Sequence, residues 1–318
     1  MGNPVLGIET YVLLKKETVP GTRESLTTGA QHLDLISESL DSIPVLSGLP
    51  VMAGDRQKRA TLDFVSHNNT GGSFIFRPRS AQLDTLLKWI LGAGGGLAPY
   101  TPIVNDAVDL EAFTLEVTKG GQDQLALVGT KVNTAKFSST FIEPLTIELN
   151  VLSLTGVRNS GSFTTFAPTQ MDAEKPFLHG GLVMSGTEVW LDDGLAAGNV
   201  EVRSIEFTIN NNLLEDGYCN SMNRRLISPG LFTLEGALEI PYNATTKGFW
   251  NAMIAAAKVK FTATWTDGDA NILAASFVVK LDGELPKVSS PELQWLNLGF
   301  HGVADTTDTV CISMISTE

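Results

Sequence analysis

Cysteine is nearly missing from this chain: Cys219 and Cys311 are the two in 318 residues, and they sit in unrelated contexts. With no paired spacing there is no basis for a disulfide framework or a zinc site. The four histidines, His32, His67, His179 and His301, are scattered and show no metal-ligand spacing. No run approaches the ~20 apolar residues that cross a bilayer as a helix, and "MGNPVLGIETYVLLKKE" has neither a basic-then-apolar leader nor the Ser or Thr of a myristoylation signal at its sixth position. The expectation is a chain made and kept in the cytosol, with chance sequons at Asn68 and Asn243. Positive charge is also short. Lys and Arg number 22 against 35 Asp and Glu, a formal net charge of −13, which argues against tight nucleic-acid binding because that rests on cations placed on phosphates. It suits a surface that a polyanion passes without sticking.

Catalytic signatures are missing too. No G-x-S-x-G elbow occurs. "GAGGG" at 92–96 follows a helical pattern, whereas a phosphate-cradling loop precedes one. "DGDANILAASFV" at 267–278 begins like a calcium loop, yet Ile272 stands where Gly is needed and Val278 where a bidentate Glu is needed. No cofactor, no metal and no catalytic residue is expected. A hydrolase using a spatial pair of carboxylates, and a carbohydrate-binding or adhesive β-sandwich presenting aromatic platforms, remain the rival classes. Trp89 and Trp250 fall in apolar helical stripes and are assigned to the core, while Trp190, Trp265 and Trp295 lie on strands of unassigned facing.

What the chain has is period-2 alternation between turns. Apolar residues make up 43% and charged residues only 18%, enough for a sizeable core. "ATLDFVS" puts Leu62 and Phe64 on one face and Asp63 on the other; "PLTIELNV" sets Leu145, Ile147, Leu149 and Val151 against Glu148; "FTLEGALEI" sets Leu234, Leu238 and Ile240 against Glu235 and Glu239. Strands with one dry and one wet face build antiparallel sheets. Two stretches read as helices: "SAQLDTLLKWILG" (80–92), with a Ser cap, Leu83, Leu86, Leu87 and Ile90 in register and a stop at Gly92, and "NATTKGFWNAMIAAA" (243–257), with Phe249, Trp250, Met253 and Ile254.

The order of elements occurs twice. The first pass runs through a strand (33–39), an excursion containing "DRQKR", a strand (60–66), a helix, paired strands turning at Gly120–Gly121, and a closing strand; the second repeats it with strand 202–210, an excursion containing "NRR", strand 231–240, a helix, paired strands turning at Asp267–Gly268, and a closing strand. The reading is an N-terminal arm (1–28), a first β unit (29–157), a linker with a hairpin through "GLVMSGTEVWLDDG" (158–199), a second β unit (200–305) and a C-terminal tail (306–318). Residues 93–112 are an insertion in the first copy. The fold class is mainly β, two tandem barrel or sandwich units with one short helix each.

With that layout, the sequence resembles the tail tube (major tail) proteins of long-tailed bacteriophages. The resembling residues are "GIETYVLLKKETVPGTRESL", with Glu17-Thr18 and Gly21-Thr22, "SESL" at 37–40, "FTINNNLLEDGY", "LISPGLFTLEGALEI", the "FW" helix and "GFHGVAD", over about residues 6–305. The resemblance implies rings stacked as a hollow tube in the virion tail, assembled in the host cytoplasm, through which double-stranded DNA passes without tight binding. Single-unit members form hexameric rings, and a two-unit chain resembles those in which three subunits give a pseudo-sixfold ring. A tape measure protein and a tail terminator are the implied partners, and no membrane is involved. Asp63, Glu148, Glu235 and Glu239 are candidates for the lumen. The excursions 40–59 and 213–230 are the candidates for subunit or ring contacts, through Ile43, Val45, Leu46, Leu49, Val51 and Met52, and through Arg56, Lys58, Arg59, Arg224 and Arg225. Exposed ion pairs stabilise by only ~0–1 kcal/mol, so the apolar residues would supply more of any such contact.

Overall fold

The computed structural model describes residues 10–48, 63–95, 98–103, 109–119, 123–158, 175–184, 199–216, 221–243, 246–267, 271–283 and 294–317. Its first half contains β1 (Thr10–Lys16), β2 (Gln31–Glu38), β3 (Asp41–Gly48), β4 (Asp63–Arg77), α1 (Ser80–Leu91), β5 (Gly92–Gly95), β6 (Ala98–Pro102), β7 (Phe113–Lys119), β8 (Asp123–Thr140), β9 (Thr146–Leu152) and β10 (Thr155–Arg158). The second half contains β11 (Leu178–Met184), β12 (Asn199–Val200), β13 (Ser204–Asn210), β14 (Leu214–Asp216), β15 (Leu226–Ser228), β16 (Thr233–Pro241), α2 (Lys247–Ile254), β17 (Lys258–Thr266), β18 (Ile272–Gly283), β19 (Trp295–Gly302) and β20 (Ile312–Thr317). The protein is mainly β with two short helices, in agreement with the alternation of its sequence.

Six antiparallel strands of the first half close on themselves in the cycle β1–β2–β4–β9–β8–β7–β1. The barrel interior is filled by the apolar member of each alternating pair, among them Val12, Leu14, Leu33, Phe74, Phe76, Leu115, Val117, Leu127, Ile147 and Leu149. Closure pairs Gln31–Leu33 of β2 with β1, while Asp34–Glu38 keep an open side away from β4. The second half repeats the pairing order: β13–β16, β16–β19, β19–β18, β18–β17 and β17–β11 match β2–β4, β4–β9, β9–β8, β8–β7 and β7–β1. Even the late strands correspond, since β10 pairs with β8 beyond β9, as β20 pairs with β18 beyond β19. The match breaks at one place. Among the described residues β11 pairs with the two-residue β12, not with β13, so this half stays open where β1–β2 closes the first.

The helices differ from the expected boundaries. In α1 the N-cap position is Arg79 and Ser80 is already helical and buried: Gln82 Oε1 accepts from the Arg79 backbone N–H at 3.2 Å, the Gln82 N–H donates to Arg79 O at 3.1 Å, and the Arg79 guanidinium turns away to Asp34. Gly92 ends α1 in the left-handed region at φ 86°, a conformation glycine adopts at least cost. Trp89 is fully buried and its indole N–H donates to Thr130 O at 3.1 Å. In α2, Phe249 is buried but Trp250 is half-buried and Ile254 is 67% exposed, so the apolar stripe read from sequence is only partly covered. Trp265 is core, tilted against Phe207 and edge-on to His179, whereas Trp295 is half-buried on β19; Trp190 falls outside the described residues.

Two features hold the parts in register. Glu17 is 3% exposed, and its carboxylate accepts hydrogen bonds from Gly21 N–H (2.6 Å), Gly129 N–H (2.7 Å) and Thr114 Oγ1 (2.9 Å). It thereby ties the turn after β1 to β7 and to the middle of β8. The second feature is the junction of the halves. β8 pairs with β13 over seven registered positions, and Phe137 stacks flat on its partner Phe207 at 4.6 Å, with Phe277 edge-on at 4.9 Å. Asn211 adds a polar clasp, its side-chain amide donating to Ile90 O of α1 and Val132 O of β8, both at 3.0 Å. The two halves therefore share one continuous sheet.

Phe137→Ala should cost about 3–5 kcal/mol, the usual penalty for emptying a buried phenylalanine site, and Glu17→Ala about 3 kcal/mol through three stranded donors. Denaturant unfolding of the soluble subunit checks both, and equal midpoints for wild type and variants would contradict the assigned packing.

Candidate functional site

The strands β4, β9, β8, β13, β16, β19 and β18 lie side by side as one wall. On every one of them the apolar set faces the interior, which leaves a single uninterrupted polar face. Strand register places its side chains in rows. One row runs Ile75, Glu148, Lys136, Thr208, Glu235, His301, Lys280. The next runs Thr146, Ser138, Glu206, Ala237, Gly299, Asp282, and the last Thr140, Ser204, Glu239, Asn297. Over the wall this face presents five carboxylates, Glu148, Glu206, Glu235, Glu239 and Asp282, against Lys136 and Lys280, with Arg77 at the end of β4 and Arg203 beside Glu239 at the rim. Lys136 bridges to Glu206 at 3.0 Å. Glu239 bridges to Arg203 at 2.9 Å, and the Arg203 guanidinium lies 4.9 Å above the Trp295 ring, where it is held by the aromatic quadrupole. Carboxylates are in slight excess on the face, and Lys136 and Arg203 are already paired there.

Glu148 of β9 and Glu235 and Glu239 of β16 are thus brought onto one surface. Asp63 starts β4, paired through its backbone with Gly48, and its side chain lies outside the described residues. Lys136, Glu206, Lys280 and Asp282 were missed. The alternation "NTAKFSST" flags Lys136 as a wet position, but nothing local says that β13 lies beside it.

Both excursions leave the same end of the wall. β3 folds back on β4, with Ile43 and Leu46 exposed at 53% and 69% and Val45 half-buried. Leu49, Val51, Met52, Arg56, Lys58 and Arg59 lie outside the described residues. In the second half β14 and β15 form a small hairpin whose Leu214 and Leu226, with nearby Met222, are exposed. The second excursion touches β4, the strand on which β3 folds back: Asn68 N–H donates to Met222 O at 2.8 Å and its side chain to Asn223 Oδ1 at 2.8 Å. Arg224 is engaged within the chain, donating to Thr70 O (2.6 Å), Ser153 O (3.2 Å) and Asn69 Oδ1 (3.0 Å) and pairing with Glu215. Arg225 is exposed.

Titratable groups with displaced pKa values lie away from the wall's acidic rows. Desolvation pushes His179 below its ordinary 6.5; its ring stands 6.0 Å from Trp265, and neither imidazole nitrogen has a hydrogen-bond partner. Desolvation likewise lowers His32, against a smaller upward pull from Asp34. Ahead of β20, Lys258 bonds Asp308 (2.5 Å) and Asp305 (3.0 Å), while Lys260 bonds Asp308 (2.8 Å). Asp305 accepts the backbone N–H groups of Asp308 and Thr307 as well as the Lys258 ammonium, which together lower its pKa to about 2. Hydrogen bonds from Lys258 and Lys260 lower Asp308, and the same contacts raise Lys258. This clasp fixes the return of the chain into β20, the segment that sequence reading left as an unassigned tail. Among the described residues no group of three or more His, Cys, Asp and Glu is placed to hold a metal.

A closed barrel and an open copy of it, fused into one polar-faced wall, define a structural β building block. The chain belongs to the phage tail tube protein family, whose pattern it matches over residues 7–302. No curated protein sequence matches it. It is a structural protein of the virion tail, and membership of the family implies self-assembly into a tube.

The displaced groups predict two acid transitions. For His179 the folded state resists protonation while the unfolded chain titrates near 6.5, so stability is full above that pH and falls as pH drops below it. His179→Phe should flatten the dependence of Tm between about pH 7 and 5. For Asp305, stability is present above its ordinary 3.8 and is lost as pH falls toward about 2. Hydrogen exchange in β20 should rise first in that lower window, and exchange that stays flat there would contradict the clasp.

Proposed function

We propose that three copies of this chain close a ring of pseudo-sixfold symmetry, that rings stack into the tail tube, and that the polar wall lines the bore through which the genome is ejected. The observation that carries this reading is the β8–β13 junction. It joins two halves of matching topology edge to edge, which is the contact a ring of such units must repeat. β18 and β2 are the counterparts of β8 and β13. Among the described residues, Leu281–Gly283 of β18 have no partner on the side facing away from β19, and Asp34–Glu38 of β2 none on the side facing away from β4. β18 of one chain pairing with β2 of the next would continue the wall around the ring and leave no open edge. On this reading the first unit takes in β1 and the second takes in β11, so the 1–28 arm and the 158–199 linker each contribute a strand.

The charge on the wall supports passage without capture. Duplex DNA carries one negative charge per ~1.7 Å of axis, and a lining richer in carboxylates than in lysines offers it no counterion to displace. The excursions at one end of the wall reach toward an adjoining ring, with Ile43 and Val45 in the first and Arg225 in the second as contacts; Arg224 instead braces the second excursion against the first unit. A tape measure protein and a terminator fix length and end, and assembly takes place in the host cytoplasm.

Purified protein seen by negative-stain microscopy should show hollow tubes, and native mass spectrometry of disassembled material should show trimers. A lectin-like monomer at all concentrations would refute the tube. The double variant Glu148→Lys/Glu235→Lys should still form tubes but should retain duplex DNA in a salt-dependent manner, with log K falling roughly 0.9 per phosphate contacted for each decade of salt. Tubes of the variant that remain indifferent to DNA would remove the wall from the bore.

A further inference from the structure

Two surface features at opposite ends of the wall complement each other. At one end the turn from β8 to β9 carries Phe141 and Ile142, 71% and 73% exposed. The turn is braced: Phe141 N–H donates to Arg203 O at 3.0 Å, Glu143 N–H to Thr140 Oγ1 at 3.2 Å, and Leu145 N–H to Phe177 O at 2.8 Å. Two large adjacent apolar side chains are therefore held out in water by a fixed backbone. At the other end a cleft of about 720 Å³ opens between the end of β6, the β15–β16 connection and the approach to β20. Its lining includes Ile103, Pro229, Leu231, Phe232, Val310 and Cys311, and Leu231 stands 79% exposed. That volume lies within the ~300–1,000 Å³ of clefts that bury a ligand of several apolar groups.

Strand register fixes the polarity. Along β13, Ser204 lies opposite Thr140 beside the braced turn, and Asn210 lies opposite Thr233, the residue after Phe232. The seven-residue strand puts turn and cleft about 20 Å apart on opposite ends of one sheet, so the turn is directed away from the cleft of its own chain. An apolar projection that fits a cleft elsewhere on the same molecule makes a heterologous contact, and repetition of that contact builds an open filament rather than a closed dimer.

We propose that the Phe141–Ile142 turn of one chain seats in the Leu231–Phe232 cleft of the next chain along the tube. The inference rests on the tube reading above and adds to it the axial contact and its direction. A second copy is the occupant because the family assembles by self-association, and because the apolar turn and the apolar part of the cleft, beside its polar Asp109, Ser228 and Thr309, lie at the two ends that stacking would bring together. The excursions leave from the cleft end and would flank the seated turn.

The test uses full-length chain with Cys219→Ser, so that Cys311 in the cleft is the remaining native thiol. Ile142→Cys is added, assembled tubes are treated with a short bismaleimide at mildly alkaline pH, because burial pushes the Cys311 thiol up, and products are resolved on a denaturing gel. The expected result is a ladder extending beyond three chains that vanishes in Ile142→Cys/Cys311→Ser. No cross-link, or a ladder that stops at three, would overturn the axial assignment. In parallel, Phe141→Ser/Ile142→Ser should keep the circular dichroism and the trimeric rings of the parent while raising the concentration needed for tubes at least tenfold. Tubes at the parental concentration would overturn it equally. Loss of tubes by Ile142→Cys in a folded subunit counts for the contact. Should the parent itself form no tubes, the underlying tube reading fails, an outcome distinct from parental tubes that ignore the turn.

Discussion

The β8–β13 pairing is the constraint on which the rest of the structure depends. It is a seven-position antiparallel ladder backed by a stacked phenylalanine pair and by the Asn211 clasp. Backbone hydrogen bonds fix the register, and a slip of one residue would turn Phe137 or Phe207 out to the wet face and bring a lysine or glutamate inside. The price of such a slip makes the joint rigid. Two barrel-type units therefore behave as one wall and not as two beads on a linker.

That rigidity gives the polar face its meaning. Charges placed on separate strands become a surface only because every strand presents the same side, and because the units meet edge to edge. The face is not uniformly acidic: Lys136 and Arg203 are each paired with a carboxylate on it. Paired cations are already satisfied and have less reason to capture a passing phosphate. The second half stays open at β11–β12, where the first closes through β1–β2. The difference shows that the duplicated halves have been used unequally, one as a complete barrel and the other as an extension of its wall.

Polarity follows from the same strands. Both excursions leave from the end of β13 marked by Asn210, and the second is bound to β4 through Asn68, Met222 and Arg224. The braced turn projects from the other end. A subunit with unlike ends makes head-to-tail contacts in one direction.

Much of this was legible in the chain itself. The alternation of "PLTIELNV" and "FTLEGALEI" identifies the dry and wet residues of β9 and β16 correctly, since a strand's facing has a period of two and needs no knowledge of neighbours. The Gly92 stop of α1 was legible because a left-handed residue favours glycine in any context. The role of Glu17 was not, since its three donors come from residues 21, 114 and 129, nor was the engagement of Arg224 by Thr70 and Ser153. Ser80 was misread as a cap because the Gln82 side chain and the Arg79 backbone close the first turn instead. The sequence by itself determined which side of each strand is wet, where chain direction reverses, and that the order of elements occurs twice. Tertiary structure alone decided which strands are neighbours, and so which carboxylates share a surface, because pairing between strands scores of residues apart is set by register and packing across the sheet and leaves no local trace in either strand.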